Sequence, residues 1–143
     1  MSKVVSLRLK DDQVERLERA ARRMGRPPSS AAIVLLEEAL RMRDFPFIEF
    51  RDTIVGRQAY IKGTRLQVWM VKLIANDLDG EAEKVAAYLE VPAMEIQAAL
   101  RYAEAFHKEI DAAIADNDRG PEELKKLLPN LEVFTVDVDA AAS

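Results

Sequence analysis

The chain of 143 residues contains no cysteine and only one histidine. The absence of cysteine excludes disulfides, thiolate zinc sites and cysteine nucleophiles, and it is typical of a cytoplasmic protein. With His107 as the only imidazole, a histidine-based metal site or a Ser-His-Asp triad is difficult to build. No apolar run approaches the roughly 18 residues of a membrane span, and no secretory signal is recognisable at the N-terminus. We therefore expect a cytoplasmic protein without a membrane segment.

The net charge of −4 is unevenly distributed along the chain. Residues 1–43 carry ten Lys and Arg against six Asp and Glu, which is a net charge of +4. Residues 44–110 carry a net charge of −3, and residues 111–143 carry −5. A basic beginning and an acidic end suggest different partners for the two ends of the chain.

Residues 3–10 have the alternating pattern of a half-buried strand, because Val5, Leu7 and Leu9 are separated by mostly polar positions. A lone terminal strand cannot satisfy its backbone or bury its apolar row, and the following thirty-odd residues have helical patterns. The simplest partner is the same strand of a second chain. The pattern therefore predicts a dimer with an intermolecular two-stranded ribbon, which fits the major groove of DNA.

Two helices are predicted after this strand. The first covers residues 11–24, with a cap at Asp11 or Asp12 and an end at Gly25. It also carries an arginine stripe, which is equally consistent with a solvated face and with contact to a DNA backbone. This stripe consists of Arg16, Arg19, Arg23 and Arg26.

The second helix is expected to be capped by Ser29 or Ser30 and to run to about Arg43, because Pro27 and Pro28 prevent the first helix from continuing. Its backbone N–H groups at the N-terminus are suited to a phosphate. Its apolar residues cover more of the helix surface than one face, so we expect the helix to be buried between two chains.

This order of strand, helix, glycine-containing turn and helix resembles the ribbon-helix-helix family of bacterial repressors, to which Arc belongs. The residues that carry the resemblance are Ser6-Leu7-Arg8-Leu9, Leu17, Gly25-Arg26, Ser30 and Glu38-Ala39-Leu40. The resemblance implies that Val4, Ser6 and Arg8 face the bases and that the start of the second helix contacts phosphate. The expected DNA-binding residues are Val4, Ser6, Arg8, Lys10, Ser29 and Ser30.

We divide the chain into a head (residues 1–44), a middle domain (45–115) and a tail (116–143). The middle domain is predicted to be a β-hairpin followed by three helices, so the whole fold is mostly α with short β. The expected bounds are 47–50 and 58–62 for the strands, and 67–78, 81–89 and 93–115 for the helices. A tight turn at 91–93 makes the last two helices a helix-turn-helix outline. Because acidic residues surround the last helix, packing or dimerisation is favoured over DNA reading.

A second resemblance is carried by residues 55–66, which include Gly63-Thr64-Arg65, and by residues 96–103. Over about residues 47–114 the chain resembles a small helix-turn-helix domain of VapB-like prokaryotic antitoxins. Members of that family are commonly encoded beside a PIN-like ribonuclease toxin, and some are fused to a ribbon-helix-helix head. The resemblance implies that this chain neutralises such a ribonuclease.

The acidic tail is the segment expected to bind the toxin. Residues 131–138 alternate like a strand, which either joins the sheet of this chain or pairs along the toxin and orders on binding. Acidic side chains would cover a basic RNA-binding surface, or basic ones would enter the carboxylate-rich metal site of the nuclease. The expected toxin-binding residues are Arg119, Lys125, Lys126, Leu131, Val133, Phe134 and Val136.

The leading hypothesis is thus a homodimeric, or higher oligomeric, DNA-binding antitoxin of a type II toxin–antitoxin system that represses its own operon. A stand-alone dimeric regulator, with the middle domain as an oligomerisation or sensing module, is the alternative. A structural interaction protein that pairs without reading DNA is a third. An enzyme is disfavoured, because the densest carboxylate cluster, at residues 77–83, lies at a helix start where acids are expected. We expect no metal and no cofactor.

Overall fold

The computed structural model describes residues 1–117, which are mostly helical and include one β-hairpin. In chain order the elements are α1 (Asp11–Met24), α2 (Pro28–Asp44), β1 (Ile48–Thr53), β2 (Gly56–Ile61), α3 (Val68–Asp77), α4 (Ala82–Leu89), α5 (Ala93–Ala105) and α6 (His107–Asp116). The prediction of a mostly α fold with short β structure is confirmed at this level. None of the helices in this part of the chain is both long and apolar enough to cross a membrane.

The first regular element is α1, because residues 1–10 form neither helix nor strand in the single chain. The predicted N-terminal strand is therefore not present in one chain. A strand exists through hydrogen bonds to a neighbour, and the sheet of the described residues consists of β1 and β2 alone. The apolar side chains of Val4, Val5 and Leu7 are 95%, 78% and 71% exposed. The intermolecular ribbon concerns two chains and stays a prediction.

The N-cap of α1 is Lys10, whose backbone N–H donates to Oε1 of Gln13 at 2.9 Å. The expectation of a cap at Asp11 or Asp12 is wrong. Both carboxylates lie in the first turn, where their negative charge interacts favourably with the positive end of the helix dipole. Gly25 ends the helix as expected, since its φ of 65° places it in the left-handed region that glycine adopts without strain.

The start of α2 also differs from the expectation. The helix begins at Pro28 with Pro27 as its N-cap, so Ser29 and Ser30 lie in the first turn and do not cap it. A proline in the first helical position has the right φ and needs no N–H donor there. The same prolines that prevent α1 from continuing therefore start α2.

The β-hairpin is confirmed, with longer strands and a shorter turn than predicted. The strands are antiparallel, with Ile48 opposite Ile61 and Phe50 opposite Ala59, and residues 54 and 55 form the turn. These four paired residues lie on one face of the hairpin and belong to the core or pack against it. That face positions the hairpin against α2 and the helices of the middle domain.

The main core lies between the hairpin and α3 to α6. Its largest fully buried side chains are Tyr102, Ile61, Ile74, Ile96, Val68, Val71 and Val85. Trp69 is also part of the core, at 6% exposure, and its Nε1 donates to Oε1 of Gln67 at 2.7 Å.

The single long helix predicted at 93–115 is wrong, because the chain leaves the helical conformation at Phe106. This residue, with φ −118° and ψ 44°, lies between α5 and α6. The described part of the middle domain therefore has four helices instead of three. No proline or glycine occurs between positions 93 and 115, so the cause must be tertiary. The predicted tight turn between the last two helices of the outline is present, at 90–92 instead of 91–93.

Candidate nucleic-acid interface and the contacts that support it

The expected DNA-binding residues of segment 3–10 are all exposed. They are Val4, Ser6, Arg8 and Lys10. Residues 1–10 contain three Lys and Arg and no acidic residue, whereas α1 carries four basic and four acidic residues. The positive charge of the head is therefore concentrated ahead of α1, where nothing neutralises it within the segment.

The two serines lie beside each other at the beginning of α2. Ser29 is exposed, and Oγ of the half-buried Ser30 accepts a hydrogen bond from Nη1 of Arg26 at 3.2 Å. The helical hydrogen bonds begin with the N–H of Ala31, which donates to the carbonyl of Pro27 at 2.9 Å. The amides of Ser29 and Ser30 precede this bond, in the position where helix N-termini accept phosphates.

The arginine stripe of α1 is mixed with acids. Arg16 pairs with Asp12 at 3.6 Å while both side chains remain mostly exposed, at 65% and 71%. Arg19 borders a shallow depression together with Glu15, Glu18 and Arg22. A face with alternating charge is typical of a solvated helix, so the basic residues ahead of α1 are the better candidates for DNA contact.

One side of α2 is an apolar stripe that nothing in the described chain covers. Ile33, Leu36 and Leu40 are 70%, 54% and 51% exposed. With 100° of rotation per residue, these three positions lie on the side of the helix opposite Glu38. Segment 1–10 carries further exposed apolar residues. Exposed apolar stripes of this kind are typical of interaction surfaces.

The opposite side of α2 is held by an ion pair. Glu38 is only 7% exposed, and Arg57 of β2 binds it with two hydrogen bonds, Nε to Oε2 at 3.0 Å and Nη2 to Oε1 at 2.5 Å. Nη1 of Arg57 also donates to Oδ1 of Asp52 at 3.2 Å. The hydrogen bond to Glu38 holds the pKa of Arg57 above its usual value, against the opposing effect of burial.

Arg41 makes a second connection, three residues further along α2. Its Nη1 donates to Oη of Tyr102 at 2.7 Å and to Oε1 of Glu109 at 2.9 Å, and Oη of Tyr102 donates to Oε2 of Glu109 at 2.9 Å. The guanidinium carbon lies 3.7 Å from the ring centre of Phe106. The buried Nε of Arg41 has no hydrogen-bond partner, and its contact with Glu37 is 3.8 Å long.

These contacts alter the protonation equilibria of both donors. Burial alone would lower the pKa of Arg41, but the hydrogen bonds to Glu109 and Tyr102 hold it above its usual value. Burial and the neighbouring Glu109 carboxylate raise the pKa of the Tyr102 hydroxyl. The network therefore depends on a charged guanidinium and a neutral phenol.

Aromatic rings surround the Arg41 network. Phe45 contacts Tyr102 and Phe106 edge-on, with ring centres 5.5 and 5.6 Å apart. Phe50 of β1 lies 6.1 Å from Tyr102, and Tyr102 lies 4.7 Å from Phe106. Such edge and tilted contacts are favourable, so the C-terminal half of α2 is fixed to both the hairpin and the joint between α5 and α6.

A cavity of about 170 Å³ lies between α2, the hairpin and α6. Its lining residues are Val34, Glu37, Glu38, Arg41, Phe50, Arg57, Ala59 and Glu109. All five ionic side chains of the lining make contacts described above, and the lining contains no Ser, Thr, Cys or Lys that could act as a nucleophile. In residues 1–117, no three His, Asp or Glu side chains are grouped to hold a metal ion.

The helix-turn-helix outline presents an acidic and apolar surface. On α5, Met94 is 66% exposed, and Gln97, Arg101 and Glu104 are also exposed. Arg101 is the single exposed basic residue on α5, so this face has little affinity for phosphates. A packing or dimerising role for this surface stays our prediction.

Sequence reasoning missed the two arginine connections of α2. Glu38 appeared only as part of a family motif, and Arg41 had no assigned role. The available signal was an acidic residue within the apolar stretch of the second helix, but its partner Arg57 is 19 residues away. The expected toxin-binding residues lie outside the described residues 1–117. They are Arg119, Lys125, Lys126, Leu131, Val133, Phe134 and Val136.

Comparison of the chain with protein-family models, with curated proteins and with solved structures gives no match.

The Glu38–Arg57 pair predicts a non-additive response to substitution. Arg57→Met leaves a buried carboxylate without its main partner, so we expect a loss of about 3 kcal/mol in the free energy of unfolding. The double variant Glu38→Met/Arg57→Met removes both charges and should recover most of that loss. Urea unfolding measures the free energy of unfolding of the single and of the double variant. Arg51→Met is the control on the same hairpin, because its pair with Glu49 is partly exposed and should cost about 1 kcal/mol or less. A double variant no more stable than Arg57→Met would contradict the prediction.

The raised pKa of Tyr102 predicts a pH dependence at alkaline pH. In the unfolded chain a tyrosine loses its proton near about pH 10, whereas the folded protein retains it to higher pH. The unfolded state then binds fewer protons, so stability falls as pH rises above about 10. Tyr102→Phe removes this contribution. Urea midpoints measured between about pH 8 and 11 should therefore decline more steeply for the wild type than for Tyr102→Phe. Parallel curves would show that the hydroxyl is not linked to folding.

Proposed function

We propose that this protein is the DNA-binding antitoxin of a type II toxin–antitoxin system, which represses its own operon and neutralises a PIN-like ribonuclease. The observation that carries the proposal is the exposed charge and the exposed apolar surface of the head. An exposed segment with three basic residues and no acid precedes two helices, and the second helix has an uncovered apolar stripe. A head that combines a basic segment with an unpartnered apolar surface is suited to a protein that pairs before it binds a polyanion.

Pairing of two heads accounts for both kinds of exposed apolar residue. Two antiparallel copies of segment 3–10 would satisfy each other's backbone groups, with Val5, Leu7 and Leu9 on one face of the ribbon. The α2 stripe of each chain would be covered by the second copy. Burial of such side chains contributes about 25 cal/mol for each Å² of apolar surface, which favours the dimer over separate chains.

The other face of this ribbon would read DNA. Ser6 and Arg8 share that face with Val4 and Lys10, and a two-stranded ribbon fits the major groove. Arg8 would bind a guanine with two hydrogen bonds, while the amides of Ser29 and Ser30 would bind a phosphate on each side. Because all the positive charge of residues 1–10 is doubled in the dimer, the affinity should depend strongly on salt.

The tail is the proposed toxin-binding segment. The support is its charge of −5 from position 111 onward, its strand-like alternation at 131–138 and the resemblance of the middle domain to antitoxins. An acidic segment is complementary to the basic surface that a ribonuclease needs for RNA. The middle domain would carry this tail and connect it to the head through α2.

Substitution of Arg8 tests the DNA-binding half. If Arg8 reads a guanine, Arg8→Ala should weaken operator binding by about 1–3 kcal/mol, or about 5- to 150-fold, which is more than it weakens binding to non-specific DNA. Lys3→Ala removes the same charge from the segment and should weaken binding to the operator and to non-specific DNA by similar factors. The measurement is a titration of the promoter of its own operon and of a random duplex at several salt concentrations. Absent or salt-insensitive binding would overturn the proposal, and equal losses on both DNAs would make Arg8 a phosphate contact.

Co-purification tests the antitoxin half. This chain, tagged, is expressed together with the product of the adjacent gene. We expect a stable complex with a small nuclease whose active site is rich in carboxylates, and we expect its loss on deletion of residues 119–143. The deletion leaves all of residues 1–117 in place, so promoter binding by the shortened chain is the control for folding. A full-length chain that elutes alone and still binds its promoter would favour the stand-alone regulator.

A further inference from the structure

The joint between α5 and α6 is an interruption that the local sequence does not require. Positions 93–115 contain neither proline nor glycine, and Phe106 alone separates the two helices. Helical hydrogen bonds continue on both sides of it, from the N–H of Phe106 to the carbonyl of Tyr102 at 2.9 Å and from Ile110 to Phe106 at 3.1 Å. A rotation of this one residue to helical φ and ψ would make one continuous helix.

The side chain that spans the interruption comes from a different part of the chain. Arg41 of α2 contacts one residue on each side of the joint and the joint residue itself: Tyr102 of α5, Phe106 and Glu109 of α6. Tyr102 also donates directly to Glu109. The contacts of Arg41 with Phe106 and Glu109, and the hydrogen bond from Tyr102 to Glu109, depend on the present position of α6 relative to α5, so they favour the interrupted form.

We propose that the α5–α6 joint is a hinge with an interrupted and a continuous state, and that Arg41 is the latch that holds it interrupted. The inference goes beyond the proposed function and does not depend on it. Any molecule that draws Glu109 away from Arg41 would release the joint. The latch therefore connects α6, which ends at Asp116 ahead of the acidic tail in the sequence, to helix α2 of the head.

The buried residues on the two sides of the joint would share one side of a continuous helix. Ala103 of α5 and Ile110 of α6 are buried at 2% and 4% exposure, and both helices pack against α3. These two residues are seven positions apart, so in a continuous helix they would lie on the same side within about 20°. The latch itself is incompletely satisfied, since the buried Nε of Arg41 has no acceptor. A single residue that moves between two conformations is typical of hinges.

Spin labels placed on either side of the joint test the proposal in the full chain. Because the chain has no cysteine, Gln97→Cys and Ala115→Cys introduce the only two labelling sites, both at exposed positions. In a continuous helix the two Cα atoms would be about 27 Å apart, and a bend at Phe106 makes this distance shorter. Pulsed electron resonance of Arg41→Met in this background should show the distance distribution shift to longer values.

Two further variants make the experiment decisive. Arg43→Met changes an exposed arginine on the same helix and should leave the distance unchanged. If Arg41→Met does not fold, Glu109→Gln is the milder variant, since this side chain is half exposed, and it should produce a smaller shift in the same direction. Circular dichroism checks folding. A folded Arg41→Met or Glu109→Gln protein with the wild-type distance, or an equal shift in Arg43→Met, would overturn the proposal.

Discussion

The buried carboxylate of Glu38 is the constraint on which the arrangement of the described chain depends. An unpaired charge in this position would cost several kcal/mol, and Arg57 of the hairpin supplies two hydrogen bonds to it. This pairing sets the rotation of α2 about its own axis. Once Glu38 faces the hairpin, the apolar side chains of Ile33 and Leu36 must face away from it. One ion pair thereby determines which side of α2 remains available to another molecule.

Helix α2 is consequently an element with two different sides. On one side Glu38 and Arg41 connect it to the hairpin and to the α5–α6 joint, and Phe45 extends this contact among aromatic rings. The other side is apolar and uncovered. In the proposed dimer each α2 would lie between its own middle domain and the second head. A change in the middle domain would then reach the DNA-binding surface through a single helix.

Much of the fold was predictable because its signals are local. Residues within a few positions of each other determine the spacing of apolar residues in α1, α3 and α4. They also determine the hairpin and the end of α1 at Gly25. The errors also have local reasons: Pro28 starts α2 better than a serine caps it, and Asp11 is as favourable in the first turn as at the cap. The predicted N-terminal strand is absent from the single chain, because the hydrogen-bond partner of this segment can only be another strand.

The sequence by itself determined α1 to α4, the hairpin and the uneven distribution of charge, since each of these follows from composition or from short-range periodicity. Only the tertiary structure decided the contacts of Arg41 with Tyr102 and Glu109, which are 61 and 68 residues away. It also decided the interruption at Phe106, where the local sequence favours a continuous helix. The physical reason is that helical periodicity reports only which side of an element is apolar. The partner of a buried polar group depends on how distant elements pack together.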